Sequence, residues 1–249
     1  MVENTNAIGG LRAVEIKYRI IREISSGLPA FLQSRTQLNT PSLGTLMPEN
    51  FREVAEMTQQ CIDLFELEFA QAAVALQKFE EKELRFGWIS LYMPLRFLTE
   101  GSADHTLMEY CSRFEASADR FCFALPDKIL NENNEFISGQ IQNLRNRGFH
   151  FMLTDFGTQN CPIMHLADYP VDYVMMSTEL TNFFGKSNRA EDAVRSLIGF
   201  IEDMGATSIS DGVANSSQAE SLYEAGCSYC AGSLAGKYTA ERYIRRKDE

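Results

Sequence analysis

Phe149-His150-Phe151-Met152-Leu153-Thr154-Asp155-Phe156-Gly157-Thr158 reads as a short apolar strand, Phe149 to Leu153, that empties into a polar turn. Gly148, just before it, stops the segment 134–147, where Phe136, Ile137, Ile141 and Leu144 recur at helical spacing. The same unit of helix, glycine stop and buried strand repeats outward. Downstream, Pro170 introduces a strand from Val171 to Met176. Residues 190–204 then set Ala193, Val194, Leu197, Ile198 and Ile201 on one helical face, ended by Gly205. Ala206 to Ile209 is a strand, 216–225 a helix, and Tyr229 to Gly232 a strand. Upstream, Phe86 to Leu91 before Pro94 and Phe121 to Leu125 before Pro126 supply two more strands. Short apolar strands alternating with helices predict a parallel sheet covered by helices. At 249 residues, the closed barrel of eight such units is the leading architecture.

The first ninety residues follow another pattern. Val14 to Ile24 and Ala30 to Leu38 are strand-like runs around Ser25-Ser26-Gly27, a turn signal that predicts an antiparallel hairpin. Pro48 to Phe79 reads as helical, with Phe51, Val54, Ala55, Ile62, Phe65 and Phe69 as its apolar stripe. The expected fold is therefore α/β, a modified TIM (β/α)8 barrel with an antiparallel first strand. It is read as one domain over 1–249, with a loose lead-in at 1–12 and a charged tail at 242–249.

Hydrophobic content of 45 % with 23 % charged residues is that of a globular chain and excludes a disordered or fibrous one. No apolar run approaches the roughly 20 residues of a membrane span, and the N-terminus lacks the marks of a secretory signal. A net charge of −11 repels phosphate backbones, which argues against a nucleic-acid partner but leaves room for a local basic pocket. The six cysteines read as reduced thiols. Cys227-Ser-Tyr-Cys230 has the spacing of a redox or zinc half-site but lacks a second pair or a nearby histidine.

The hairpin entry followed by Asp155-Phe156-Gly157-Thr158 resembles the EAL domain, the barrel that hydrolyses cyclic di-GMP. That family's D-D-F-G-T-G-x-S-S and L-P-V-D-x-x-K-I-D fall without a gap on Thr154 to Pro162 and Tyr169 to Ser177. Ser210-Asp-Gly-Val-Ala214 matches A-E-G-V-E, and Gly226 to Gly232 matches G-C-x-x-x-Q-G. Tyr18 to Gly27 resembles the opening Y-Q-P-I-x-D-x-x-T-G, and Gln33-Ser34-Arg35 falls on the E-A-L triplet.

The resemblance implies phosphodiester hydrolysis by water activated between two divalent cations, held by acidic and amide oxygens at the strand ends. At the matching positions this chain carries Gln33 for the triplet's glutamate, Ala124 for the glutamate of E-x-T-E, and Thr154 for the first aspartate. The strand-end asparagine falls at Ser90 or Leu91, with Leu91 favoured because it keeps Pro94 in phase. Met175 stands for the lysine, Asp211 and Ala214 for the two glutamates, and Ala231 for the late glutamine. Asp155 remains, and a turn-capping role alone accounts for it. The expectation is a chain with no catalytic residues, no metal, no cofactor and no cyclic di-GMP hydrolysis.

Such a chain is expected to act as a regulatory or protein-interaction module, the family's non-catalytic members being bacterial cytoplasmic regulators of motility, biofilm or gene expression. Tyr173, Met175, Met176, Phe183 and Phe184 are candidates for a partner surface. The alternative is a receptor that binds cyclic di-GMP through Arg35, Gln37, Arg96 and Asp155. Gln159-Asn-Cys-Pro162 departs from the loop through which the family pairs, leaving monomer and homodimer both open.

Overall fold

Val14–Glu23 (β1) and Pro29–Thr40 (β2) form the expected hairpin, paired antiparallel from Val14↔Leu38 to Arg22↔Pro29. Gly44–Leu46 folds back antiparallel on the end of β2, and six short barrel strands follow in the computed structural model, which describes residues 7–8, 11–131, 134–159 and 161–245. They are Ile89–Tyr92 (β3), Phe121–Pro126 (β4), His150–Phe156 (β5), Tyr173–Met176 (β6), Thr207–Ser210 (β7) and Tyr229–Cys230 (β8). From β2 to β8 each pairs in parallel with the next, and β8 closes the ring antiparallel onto β1. The fold is the modified TIM barrel with an antiparallel first strand. Thr239–Ala240 returns along the outer half of β1, opposite Tyr18 and Lys17.

The helices are Pro48–Glu56 (α1), Gln60–Glu81 (α2), Leu95–Thr99 (α3), Ala103–Arg113 (α4), Glu135–Asn146 (α5), Thr178–Thr181 (α6), Asn188–Asp203 (α7) and Ser216–Glu224 (α8). The single helix expected over Pro48 to Phe79 is thus two. Thr58 Oγ1 donates to the Ala55 carbonyl and accepts from the Gln60 N–H, and this local bonding competes with the helical ladder. Phe136, placed on the buried stripe by spacing, is 52 % exposed, whereas Ile137, Ile141 and Leu144 are buried. Of the lead-in, 7–8 and 11–12 form a two-stranded ribbon, and its other residues lie outside the described residues, as do 246–249 of the tail. Among the described residues no helix is long and apolar enough to cross a membrane.

Strand alternation sorts the apolar residues into two layers. Ile21, Phe31, Trp88, Cys122, Ala124, Met152, Met175, Ile209 and Ala231 fill the barrel. Leu32, Leu91, Phe123, Phe151, Leu153, Val174 and Met176 face outward into the helices, where Phe65, Phe69 and Leu144 meet them. Each such fully buried side chain contributes about 1.5–3 kcal/mol. At the entering ends of the strands Phe31 stacks on Trp88, centroids 4.0 Å apart, with Tyr173 and Tyr229 around them. That aromatic floor leaves the opposite end, where the strands exit, as the open mouth.

Candidate functional site

Cross-strand pairing sets Arg19 of β1 directly opposite Gln33 of β2, on the face that points into the barrel. Arg19 Nε donates to Gln33 Oε1 at 2.7 Å, and its Nη2 lies 2.7 Å from Asp211 Oδ2, just beyond β7. Tyr238, carried back over the mouth ahead of Thr239–Ala240, lies under the guanidinium with its centroid 4.8 Å away. Its hydroxyl donates to the same Gln33 Oε1 at 3.0 Å. Burial pushes the Tyr238 hydroxyl up to about 12. Burial opposes the Arg19 charge, but Tyr238, Asp211 and Asp155 around it outweigh that and raise its pKa.

Asp155 leaves β5 at a register shift between Leu153 and Phe156 and sits in the left-handed region, φ 58°. A side chain other than glycine held there is a strained feature of the kind that collects at functional sites. Gly157 follows at φ 84°, and a Cβ on it would lie 2.2 Å from Leu180 Cδ1 of α6. The Asp155 carboxylate reaches solvent, yet partial burial and then the charges of Asp127 and Asp211 raise its pKa. Thr158 Oγ1 donates to Asp127 Oδ2 at 2.6 Å, tying the turn after Gly157 to the end of β4.

The other expected positions scatter. Ala124, Met175 and Ala231 point into the barrel and are buried. Leu91 is a correction: alternation turns it into the outer helical layer, whereas Ser90 pairs beside Gln33 on the inner face. Thr154 Oγ1 donates to the Leu125 carbonyl, and Ala214 is exposed. Arg35 shares a face with Gln33, lies 5.5 Å from the Tyr238 centroid and pairs with Glu49 at 2.9 Å. Gln37, farther along that face, is buried and donates to Glu15 Oε2 at 2.8 Å. Arg96 is exposed on α3, beside Cys61 rather than the carboxylates. Met175 and Met176 are core, and Phe184 packs against it, so of the five candidate contact residues Phe183 is the one that stands exposed, at 43 %. Cys227 and Cys230 are buried free thiols, and Cys227 Sγ lies 3.3 Å from the Tyr229 carbonyl.

Sequence reasoning missed Arg19, Asp127 and Tyr238. For Arg19 a signal was present: it falls on the glutamine of the opening Y-Q-P-I, two residues before the inward Ile21. The donors present do not fit a pair of divalent cations. Among the described residues no three His, Cys, Asp or Glu side chains gather closely enough to hold a metal ion. Gln33 Oε1 already accepts two hydrogen bonds, Asp211 Oδ2 is held by Arg19, and Oδ1 accepts the Gly212 N–H at 2.6 Å.

A family model for the EAL domain matches residues 6–238. A cyclic di-GMP phosphodiesterase of Pseudomonas aeruginosa is 21 % identical over a match 231 residues long that covers 90 % of this chain but 38 % of that protein. The EAL enzyme Bd1971 in its cAMP- and cyclic-di-GMP-bound form superimposes with a TM-score of 0.84 at 16 % identity, over 93 % of this chain and 63 % of that one. The PaMucR phosphodiesterase in complex with c-di-GMP gives 0.82 at 15 % identity, over 94 % and 95 %. The FimX EAL domain from Pseudomonas aeruginosa bound to c-di-GMP gives 0.81 at 13 %, over 94 % of each. These relatives overturn the expectation that the chain is not an enzyme, since the curated relative and PaMucR are both named as phosphodiesterases and Bd1971 as an enzyme. The physical premise behind that expectation also needs correction. The carboxylates are not down to Asp155 and Asp211, because Asp127 from the end of β4 acts on Asp155 as well.

Proposed function

The chain belongs to the EAL domain family, and on that premise we propose that its barrel mouth recognises cyclic di-GMP and that it serves as a regulatory module of cyclic di-GMP signalling. The observation that carries this is the pair of guanidinium groups, Arg19 and Arg35, set about the Tyr238 ring at the mouth of a chain whose net charge is −11. Two planar forks on neighbouring strands suit a phosphodiester: Arg19 keeps N–H donors beyond the two that Gln33 and Asp211 hold, and Arg35 is paired only with the exposed Glu49. The tyrosine ring adds a flat face for a purine. Occupancy of the mouth is read by a protein partner, and the whole of 1–249 acts as one EAL-like domain.

Calorimetric titration of cyclic di-GMP with Mg²⁺ or Mn²⁺ present tests the reading, and chromatography of the same samples reads turnover to the linear dinucleotide. Saturable heat is expected. The absence of both heat and product at high micromolar dinucleotide overturns the proposal.

A further inference from the structure

We infer that the Arg19 guanidinium is the resident cation of the mouth, the group that recognises the ligand's phosphodiester without a divalent metal. This rests on the reading of the mouth as a cyclic di-GMP site and adds how that site meets the anion. The groups best placed to serve a metal are committed to the guanidinium instead: Gln33 Oε1 and Asp211 Oδ2 each stand 2.7 Å from one of its nitrogens. The Tyr238 ring centroid lies 4.8 Å from its central carbon, and the side chain is 12 % exposed. An arginine held on three sides has lost its rotamer freedom before any ligand arrives, so binding does not pay for it again.

The two contacts use two of the five N–H donors of a guanidinium, and the planar fork matches two phosphate oxygens. Arg35 stands on the same face two residues along β2, with Lys17 as its cross-strand partner. Its own partner Glu49 is 60 % exposed, so that pair is weak and readily exchanged for a ligand. Gln33 and Asp211 therefore act as positioning residues, holding the fork at one angle.

The test is cyclic di-GMP titration of the full chain with EDTA and, separately, with Mn²⁺, for the wild type, Arg19→Gln and Arg19→Lys. The wild type should bind with the same affinity in both buffers, within about 2-fold. Arg19→Gln should lose roughly 10- to 100-fold in EDTA, the range for removing a hydrogen bond to a charged group. Arg19→Lys should fall between them, keeping the charge without the fork. Wild-type binding that EDTA abolishes and Mn²⁺ restores overturns the resident cation and leaves the function standing. No binding in either buffer overturns both. If thermal melting shows that Arg19→Gln does not fold, the wild-type buffer comparison and Arg19→Lys decide the matter, and a Lys variant that binds as the wild type does overturns the role of the fork.

Discussion

Arg145, in the last turn of α5, sets Nη2 2.6 Å and Nε 3.1 Å from Oδ1 of Asp172, while Oδ2 of the same carboxylate accepts the Phe151 N–H at 2.8 Å. One aspartate thus ties the lead into β6 to a helix and to the neighbouring strand at the floor end of the barrel. This is a stability device, far from the mouth, and it accounts for the aspartate of Pro-Val-Asp. Asp172→Ala leaves a backbone N–H and a guanidinium without their acceptor, and should cost roughly 1–3 kcal/mol in urea unfolding. Asp172→Asn keeps an acceptor and should cost less, with ligand binding at the mouth unchanged in both.

Gly157 and Leu180 form a coupled pair. Gly157→Ala imposes a left-handed strain of about 1–2 kcal/mol and drives a methyl into the Leu180 side chain. In a Leu180→Ala background the collision is gone and only the backbone strain remains. A double-mutant cycle in urea should therefore show the two costs adding to more than the double variant loses. Strict additivity would mean that Leu180 does not seat the turn.

The cysteines should report burial rather than chemistry. Cys122 is buried inside the barrel with its thiol pushed well up by desolvation, and Cys227 is pushed up to about 11 for the same leading reason. Cys161, partly exposed in the turn after Thr158, should react with iodoacetamide first, and the five buried thiols only on unfolding. Early labelling of Cys227 or Cys230 would falsify the structural role given to that spaced pair.

Most of the barrel was legible because it is written locally. Short apolar runs, glycine stops and the Ser25-Ser26-Gly27 turn each lie within a dozen residues of what they decide. The mouth was less legible because its bonds are not local. Arg19 meets Asp211 across 192 residues, and Tyr238 meets Gln33 across 205. Matching a chain position by position shows which side chains are gone, but not which new ones turn inward to replace them. The choice of Leu91 failed for a related reason: keeping Pro94 in phase fixed the alignment, whereas the face a residue takes depends on its strand register.

Two carboxylates should pull the pH dependence of stability in opposite directions. Asp155 has its pKa raised by partial burial and then by Asp127 and Asp211. The folded chain holds that proton more tightly than the unfolded one, so stability falls as pH rises from the ordinary aspartate value, 3.8, through the higher folded one. Asp155→Asn removes that loss and keeps a side chain that tolerates positive φ. It should melt above the wild type at neutral pH, with the gap closing in acid. Glu241 behaves in reverse: burial works to raise its pKa, but Lys82 and Lys78, 3.0 and 3.1 Å away, hold it below its usual value. Its stabilisation is present at neutral pH and lost as pH falls through the lowered folded value. Glu241→Gln should therefore melt below the wild type at neutral pH and meet it in acid. Melting the three proteins from about pH 3 to about pH 8 separates the two signs. An Asp155→Asn variant less stable than the wild type at neutral pH would mean that its charge is net favourable at the mouth, and that the pull of Arg19 outweighs the repulsion of Asp127 and Asp211.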